Sequence, residues 1–286
     1  MPQIKTILVT GGAGFVGSHL CETLATNSNH KVYSLDNYFT GSKDNHVPGV
    51  TYIEGATADI DKLIDFTPDT IYHLGEYSRV EQSFEDIEKV WQYNKDGIFA
   101  VLQFCRKTGA KIIYAGSSTK FGDGGLSRNQ SPYGWTKASN TELVVNYGNW
   151  FSLSYAITYF YNVYGPGEIA TGKYATLIGI YSECIKKNQP LPVVLPGTQR
   201  RNFTHVTDII SGLMMVAERG YGDEFGIGNE ESYSILEVAE MLDSPIKFIS
   251  ERRGNRMSAE VLTDKTKALG WRAERALIDY LKSIRI

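Results

Sequence analysis

The segment TGGAGFVG, residues 10–17, limits what this chain can fold into more than any other stretch. It follows a short β-rich run, Thr6–Val9, and opens a helical pattern, Phe15–Thr26, so its glycines fall on a strand-to-helix turn. At such a turn Gly11 permits the tight reversal and Gly14 lets the backbone approach a pyrophosphate. Gly17 lets the helix pack close to the strand, with the helix N-terminus facing the phosphate charge. Glycine spacing alone is weak evidence, but Asp36 closes the second predicted strand 19 residues after Gly17. A carboxylate there accepts hydrogen bonds from the adenosine ribose and repels a 2′-phosphate. No arginine follows it in LDNYFTG, so the reading is NAD rather than NADP.

The alternation continues. Strand-like runs at Lys31–Leu35, Val50–Ile53, Thr70–Leu74, Lys111–Tyr114 and Leu153–Tyr159 are separated by helical patterns, including a long one near Ser83–Lys107 and another at Tyr133–Tyr147. About six strands before Asn162 therefore predict an α/β doubly wound parallel sheet, a Rossmann fold. From Gly165 onward the chain is richer in Gly, Pro and longer loops, with helices near Tyr174–Lys187, Val206–Arg219, Ile235–Leu242 and Ala273–Ser283. This reads as a smaller, interleaved C-terminal substrate lobe. The expected division is 1–164 for the NAD-binding Rossmann domain and 165–286 mainly for the substrate lobe, with 200–228 returning to the first.

Composition narrows the partners. A net charge of −3 offers no broad basic field for nucleic acid or anionic lipid. No apolar stretch approaches the roughly 18 residues needed to span a bilayer, so no membrane association is expected. The first residues run straight into a strand without a charged-then-apolar leader, so a cytoplasmic location is expected. Cys21, Cys105 and Cys184 are far apart and read as reduced thiols. The five histidines show no metal-ligand spacing, so no metal is expected. Among them, His73 reads as a packed, hydrogen-bonded core residue.

Chemistry first appears in SPYGWTKASN, where Tyr133 and Lys137 stand four residues apart and project from one helix face. Ser117 precedes Tyr133 by 16 residues, in YAGSSTKFG, at the C-terminal edge of the predicted fifth strand, where ligands of such sheets bind. The ordered series TGGAGFVG, LDN, IYHLGE, YNKDG, SSTKFG, PYGWTK, YNVYGPGE, GTQRRNFTHVTD and KALGW runs through nearly the whole chain. In this it resembles the extended short-chain dehydrogenase/reductases, specifically the NAD-dependent sugar-nucleotide epimerase/dehydratase family.

The resemblance implies that Tyr133 is the acid/base, that Lys137 holds the nicotinamide ribose and favours the phenolate, and that Ser117 holds the reacting oxygen. An ordinary tyrosine ionises near pH 10, and lowering that by about three units requires about 4 kcal/mol of differential stabilisation. A lysine ammonium and a cationic nicotinamide ring together can supply it. Tyr133 would take a proton from a sugar hydroxyl as hydride leaves the same carbon, giving a ketosugar. Besides Gly11, Gly14, Gly17 and Asp36, the implied cofactor contacts are Phe15, Val16, Asn37, Leu74, Gly75 and Asn94, together with Tyr133 and Lys137 themselves. Asp59 and Ile60 join them, because Ala56 replaces the first aspartate of the family's adenine-side stretch.

The resemblance also ranks the outcomes. Dehydratases of this family carry an acidic pair after the catalytic Ser or Thr, and here Ser118 and Thr119 stand there, lining the sugar instead. That disfavours a 4,6-dehydratase and leaves a 4-epimerase first, with a 4-oxidase that releases the ketosugar, for example from a GDP-heptose, as the alternative. A catalytically silent NAD sensor is the reading of a different class; such proteins lose the tyrosine or lysine, and this chain keeps both. Asn162, Arg201 and Arg252 match the nucleotide-diphosphate contacts. Asn202 replaces a usual aspartate and Tyr159 a usual arginine. Glu76 replaces a usual alanine and is read as substrate-facing, bonding the sugar or serving as a second base. The family's four-helix pairing implies a homodimer built on the Ser83–Lys107 and Tyr133 helices.

Overall fold

The computed structural model describes residues 4–251, 256–258 and 260–285. The six expected strands form as β1 (Lys5–Thr10), β2 (His30–Asp36), β3 (Val50–Glu54), β4 (Thr70–His73), β5 (Lys111–Ser117) and β6 (Tyr155–Phe160). With a late strand, Gly222–Ile227, they make one parallel sheet in the order Gly222–Ile227, β6, β5, β4, β1, β2, β3. Continuous apolar runs such as Ile112–Tyr114 suit a sheet covered on both faces. Leu20, Cys21 and Leu24 of the Phe15–Ala25 helix pack with Ile209 and Leu213 of the Val206–Arg219 helix on one face. Ile98, Val101 and Leu102 of the Gly97–Thr108 helix and Val144 of the Pro132–Phe151 helix fill the other. The chain is a doubly wound Rossmann fold. Strand order reverses between β1 and β4, so Thr10 and His73 end side by side at the crevice where such sheets take ligands.

A separate core gathers Tyr164, Tyr181, Val193, Phe203, Val238 and Leu281. Three small strand pairs frame it: Leu191–Val194 with Ile246–Ile249, Arg200–Asn202 with Ser232–Ser234, and Val163–Tyr164 with Thr204–His205. The Ile235–Glu240 helix starts on a reciprocal cap, in which Ser234 Oγ accepts from Glu237 N and the Glu237 carboxylate accepts from Ser234 N.

The expected long helix near Ser83–Lys107 is not continuous. A 3₁₀ turn at Glu81–Phe84, a short helix at Ile87–Val90 and a π-helical turn at Trp91–Asp96 precede the Gly97–Thr108 helix. The wider π turn carries Asn94 inward to Tyr77 and Thr136, a contact the sequence period does not encode. The helix expected from Tyr174 begins at Leu177, because Tyr174 is committed to Asp86. Burial pushes the Cys21 and Cys105 thiols up to about 12, so both are unreactive core groups. No helix of the described residues is long and apolar enough to cross a membrane, and none of their His, Cys, Asp and Glu side chains form a metal-binding group.

Candidate active site

Two elements set the geometry of Ser117, Tyr133 and Lys137. β5 ends at Ser117, whose Oγ accepts from Thr119 N and donates to Thr119 Oγ1, fixing its rotamer at the sheet edge. The Pro132–Phe151 helix starts on Ser131, whose Oγ accepts from Gly134 N at 3.0 Å, with Pro132 pre-set for the first turn. This registers Tyr133 and Lys137 on one face, one turn apart. Tyr133 donates to Ser117 Oγ at 3.0 Å. Lys137 Nζ donates to the Ala115 carbonyl and to Glu76 Oε2.

Glu76 lines the same cleft as Ser117, Tyr133 and Lys137, and its carboxylate is bonded to partners within the protein. Its side chain is 2% exposed, Oε2 also accepts from Tyr114 at 2.9 Å, and Oε1 accepts from Asn140 Nδ2 at 3.0 Å. Burial alone would raise its carboxyl, but the Lys137 ammonium and His73 outweigh burial and hold it below the ordinary carboxylate value. Burial, and then the Glu76 carboxylate, push the Tyr114 phenol well up. His73 is fully buried, with Nδ1 2.8 Å from Thr10 Oγ1. Asn94 also lies outside the cleft. Its side chain accepts from Tyr77 N and donates to Thr136, so it fastens the loop after β4 to the catalytic helix.

The glycine turn is as tight as its spacing implies. Gly11 has φ +74°, and a Cβ on Gly17 would stand 2.0 Å from the Gly11 carbonyl oxygen. Asp36 Oδ2 accepts from Ala13 N at 2.9 Å and Oδ1 from Tyr38 N at 2.8 Å, tying the turn to the end of β2. Burial raises its carboxyl above the ordinary value, against the pull of those two N–H groups. Gly14, Phe15, Val16, Asn37, Leu74 and Gly75 line the same cleft of about 580 Å³ as the catalytic residues. Asp59 and Ile60 do not line it: Asp59 pairs with Lys62, and Ile60 is sealed in the core. The phosphate-sized turn and a carboxylate at the ribose position fit NAD.

At the other end, Ser118, Thr119, Asn162 and Arg201 line the cleft, whereas Arg252 lies outside the described residues. Burial, and then the neighbouring Arg256, pull Arg201 down to about 9. Two arginines escaped the sequence reading. Arg256 donates from Nη2 to Ser118 Oγ at 3.1 Å, and its Nη1 is buried without a partner. It lies in SERRGNR, the segment read for Arg252, and spacing there could not say which arginine turns inward. Arg79 spends Nε and Nη2 on the Tyr174 carbonyl, while Tyr77 and Tyr174 both donate to Asp86 Oδ2 at 2.8 Å. Those bonds pin the segment before the Leu177–Lys186 helix across the cleft. The two unusual residues serve the scaffold. Asn202 Nδ2 reaches the carbonyls of Asn229, Glu230 and Glu231, and buried Tyr159 donates to Asp223 at 2.7 Å.

The model of the NAD dependent epimerase/dehydratase family matches residues 7–228. A putative UDP-glucose 4-epimerase of Methanocaldococcus jannaschii is 30% identical, over 97% of this chain and 96% of its own. UDP-glucuronic acid decarboxylase 6 of Arabidopsis thaliana is 30% identical, over 84% of this chain and 74% of its own. Among solved structures, a UDP-glucuronic acid 4-epimerase of Bacillus cereus, in complex with NAD, superposes with a TM-score of 0.86 at 26% identity, covering 98% of this chain and 99% of that one.

Proposed function

The chain belongs to the NAD-dependent epimerase/dehydratase family, and from that membership we propose that it interconverts a sugar nucleotide with its 4-epimer through a 4-keto intermediate. The observation that carries the reading is the hydrogen bond from Tyr133 to Ser117, with Lys137 one turn further along the same helix. When bound, NAD supplies the hydride acceptor and donor. Tyr133 takes the proton of the sugar hydroxyl while Ser117 holds the reacting oxygen, and Tyr133 returns the proton after the keto ring has turned over. Lys137 holds the nicotinamide ribose. Gly11, Gly14, Gly17 and Asp36 hold the pyrophosphate and adenosine ribose, and Asn162 and Arg201 hold the diphosphate of the substrate. In this reading residues 1–164, with 200–228, form the cofactor unit, and the rest of 165–286 encloses the sugar.

Three features favour 4-epimerisation. Ser118 and Thr119 offer no acidic pair for elimination of water. The Glu76 carboxylate is bonded to Lys137, Tyr114 and Asn140 and is not free to serve as a second base. The bonds of Arg79 and Asp86 to Tyr174 close one side of the cleft, which suits a cofactor retained between the two half-reactions. The putative UDP-glucose 4-epimerase matched end to end points the same way.

The test is incubation of the purified protein with UDP-, GDP- and dTDP-sugars, UDP-glucuronic acid included, with products followed by NMR and NADH by absorbance. Interconversion of one sugar with its 4-epimer, without net NADH, is the expected result. Accumulating NADH, or a ketosugar formed only with an external oxidant, makes the enzyme a 4-oxidase; a 4-keto-6-deoxysugar without net NADH makes it a 4,6-dehydratase, and carbon dioxide from the uronate makes it a decarboxylase.

A further inference from the structure

The floor of the cleft holds a carboxylate, Glu76, that is bonded to the Lys137 ammonium and to two neutral side chains. Taking a carboxylate out of water costs several kcal/mol unless its lone pairs are met by charge and hydrogen bonds. Glu76 meets that demand with Lys137, Tyr114 and Asn140, and His73 Nε2 stands 3.5 Å from Oε1. Asn140 follows Lys137 by three residues on the same helix and also donates to the Asn94 carbonyl. Thr136, just before Lys137, accepts from Asn94 Nδ2. Lys137 is thus bracketed on both sides of its helix turn, with Glu76 receiving its ammonium from below.

We propose that Glu76 is a positioning residue whose carboxylate fixes the Lys137 ammonium in the floor of the cleft, so that the lysine meets the nicotinamide ribose already in place. The inference rests on the assignment of Lys137 to that ribose. Of the side chains bonded to the Glu76 carboxylate, Lys137 is the one that lines the cleft, so the hold of the carboxylate on the reacting end runs through Lys137. The charged and titratable groups around the pair are His73, Tyr114 and Tyr133, with Lys95 held by Asn140 behind it; the Arg79 and Arg256 guanidinium groups face Tyr133 from the substrate side.

A double-mutant cycle on the whole protein tests this, with NAD as the probe. Glu76→Gln and Lys137→Met should each weaken NAD by about tenfold, and the combined variant should bind no worse than Lys137→Met alone. The same non-additivity should hold for kcat on the sugar nucleotide identified by the substrate panel. If the two losses multiply, or if Glu76→Gln binds NAD like the parent, the proposal is wrong. Should the glutamine variant fail to fold, Glu76→Asp, which keeps the charge but withdraws it by one methylene, enters the cycle in its place with the same criterion. The titration needs no sugar nucleotide, so failure of the epimerase reading leaves this test standing.

Discussion

The Tyr133 hydroxyl donates to Ser117 Oγ at 3.0 Å, which joins the first turn of one helix to the end of β5. In the proposed mechanism the bond brings the proton-transfer group to the group that holds the reacting oxygen, and the two carry different weights. Tyr133→Phe removes the only phenol that reaches Ser117 among the described residues, so kcat should fall by about 10²–10⁴-fold. Ser117→Ala removes one hydrogen bond to a charged reacting oxygen and should cost about 10–100-fold. Both variants should bind NAD within about threefold of the parent, since the glycine turn, Asp36 and Lys137 are left in place. Steady-state kinetics beside NAD titration decide it; a Tyr133→Phe enzyme with near-parental kcat would remove the tyrosine from the chemistry.

Asp36 gives a pH dependence whose sign can be worked out. Burial raises its carboxyl, with the N–H groups of Tyr38 and Ala13 opposing, so on acidification it protonates earlier than the ordinary 3.8. In the proposed site the ionised form accepts from the adenosine ribose, so NAD affinity should be full well above the raised value and decline as pH falls through it. Stability of the cofactor-free protein runs the other way. A carboxyl whose folded value exceeds its unfolded one costs stability above the folded value, and that cost disappears as pH falls. Asp36→Asn should bind NAD more weakly near neutrality, by about tenfold, with a flatter pH profile. Calorimetric titrations from neutral pH down through the acid range in which the protein stays folded would show the difference; parallel profiles for the two proteins would mean that another group sets the dependence.

The residues that could be read from sequence are those whose partners are near in sequence or fixed by the fold. The glycine turn needs only its own spacing, and Asp36 only the length of one strand–helix–strand unit. Tyr133 and Lys137 share a helix face by periodicity alone. The Glu76 network was hidden because its partners Tyr114, Lys137 and Asn140 are 38, 61 and 64 residues away. Its packing therefore depends on how β4, β5 and a helix come together. Asn94 was placed on a regular helix, and the π turn that swings it out of the cleft has no hydrophobic period of its own. Arg256 lay among neighbouring arginines in a loop-rich segment where spacing carries no register.

Arg256 carries an unusual demand. A buried guanidinium donor without a partner is costly, and Arg256 Nη1 has none while Nη2 is held by Ser118, next to the catalytic serine. An anionic group of the substrate would satisfy it with a charge-assisted bond. Arg256→Gln should weaken binding of the sugar nucleotide by about 10–100-fold and leave NAD binding within about twofold. Comparing the loss for UDP, UDP-glucose and UDP-glucuronic acid locates the contact: an equal loss assigns it to the diphosphate, and a loss confined to the uronate assigns it to the sugar carboxylate. Unchanged affinity for all three would show that the guanidinium serves the loop alone.

The outer face of the helices beside the catalytic one exposes more aromatic surface than a lone domain needs. Trp91 and Trp135 stack with ring centres 6.1 Å apart and remain 50% and 43% exposed, with Ile87 at 55% and Phe99 at 52% on the neighbouring turns. Apolar residues clustered in this way mark association surfaces more often than free ones. Trp91 and Trp135 come from the two segments that carry Asn94 and Tyr133, so pairing there would brace the catalytic helix from behind. We expect a two-fold dimer closed through this face. Light scattering at micromolar concentration should give twice the chain mass, and Trp91→Glu, which places a charge at the centre of the patch, should give the monomer with its NAD site intact. A parent protein that scatters as a monomer would leave the tryptophan pair without this role, whereas a Trp91→Glu dimer would move the interface elsewhere on the molecule.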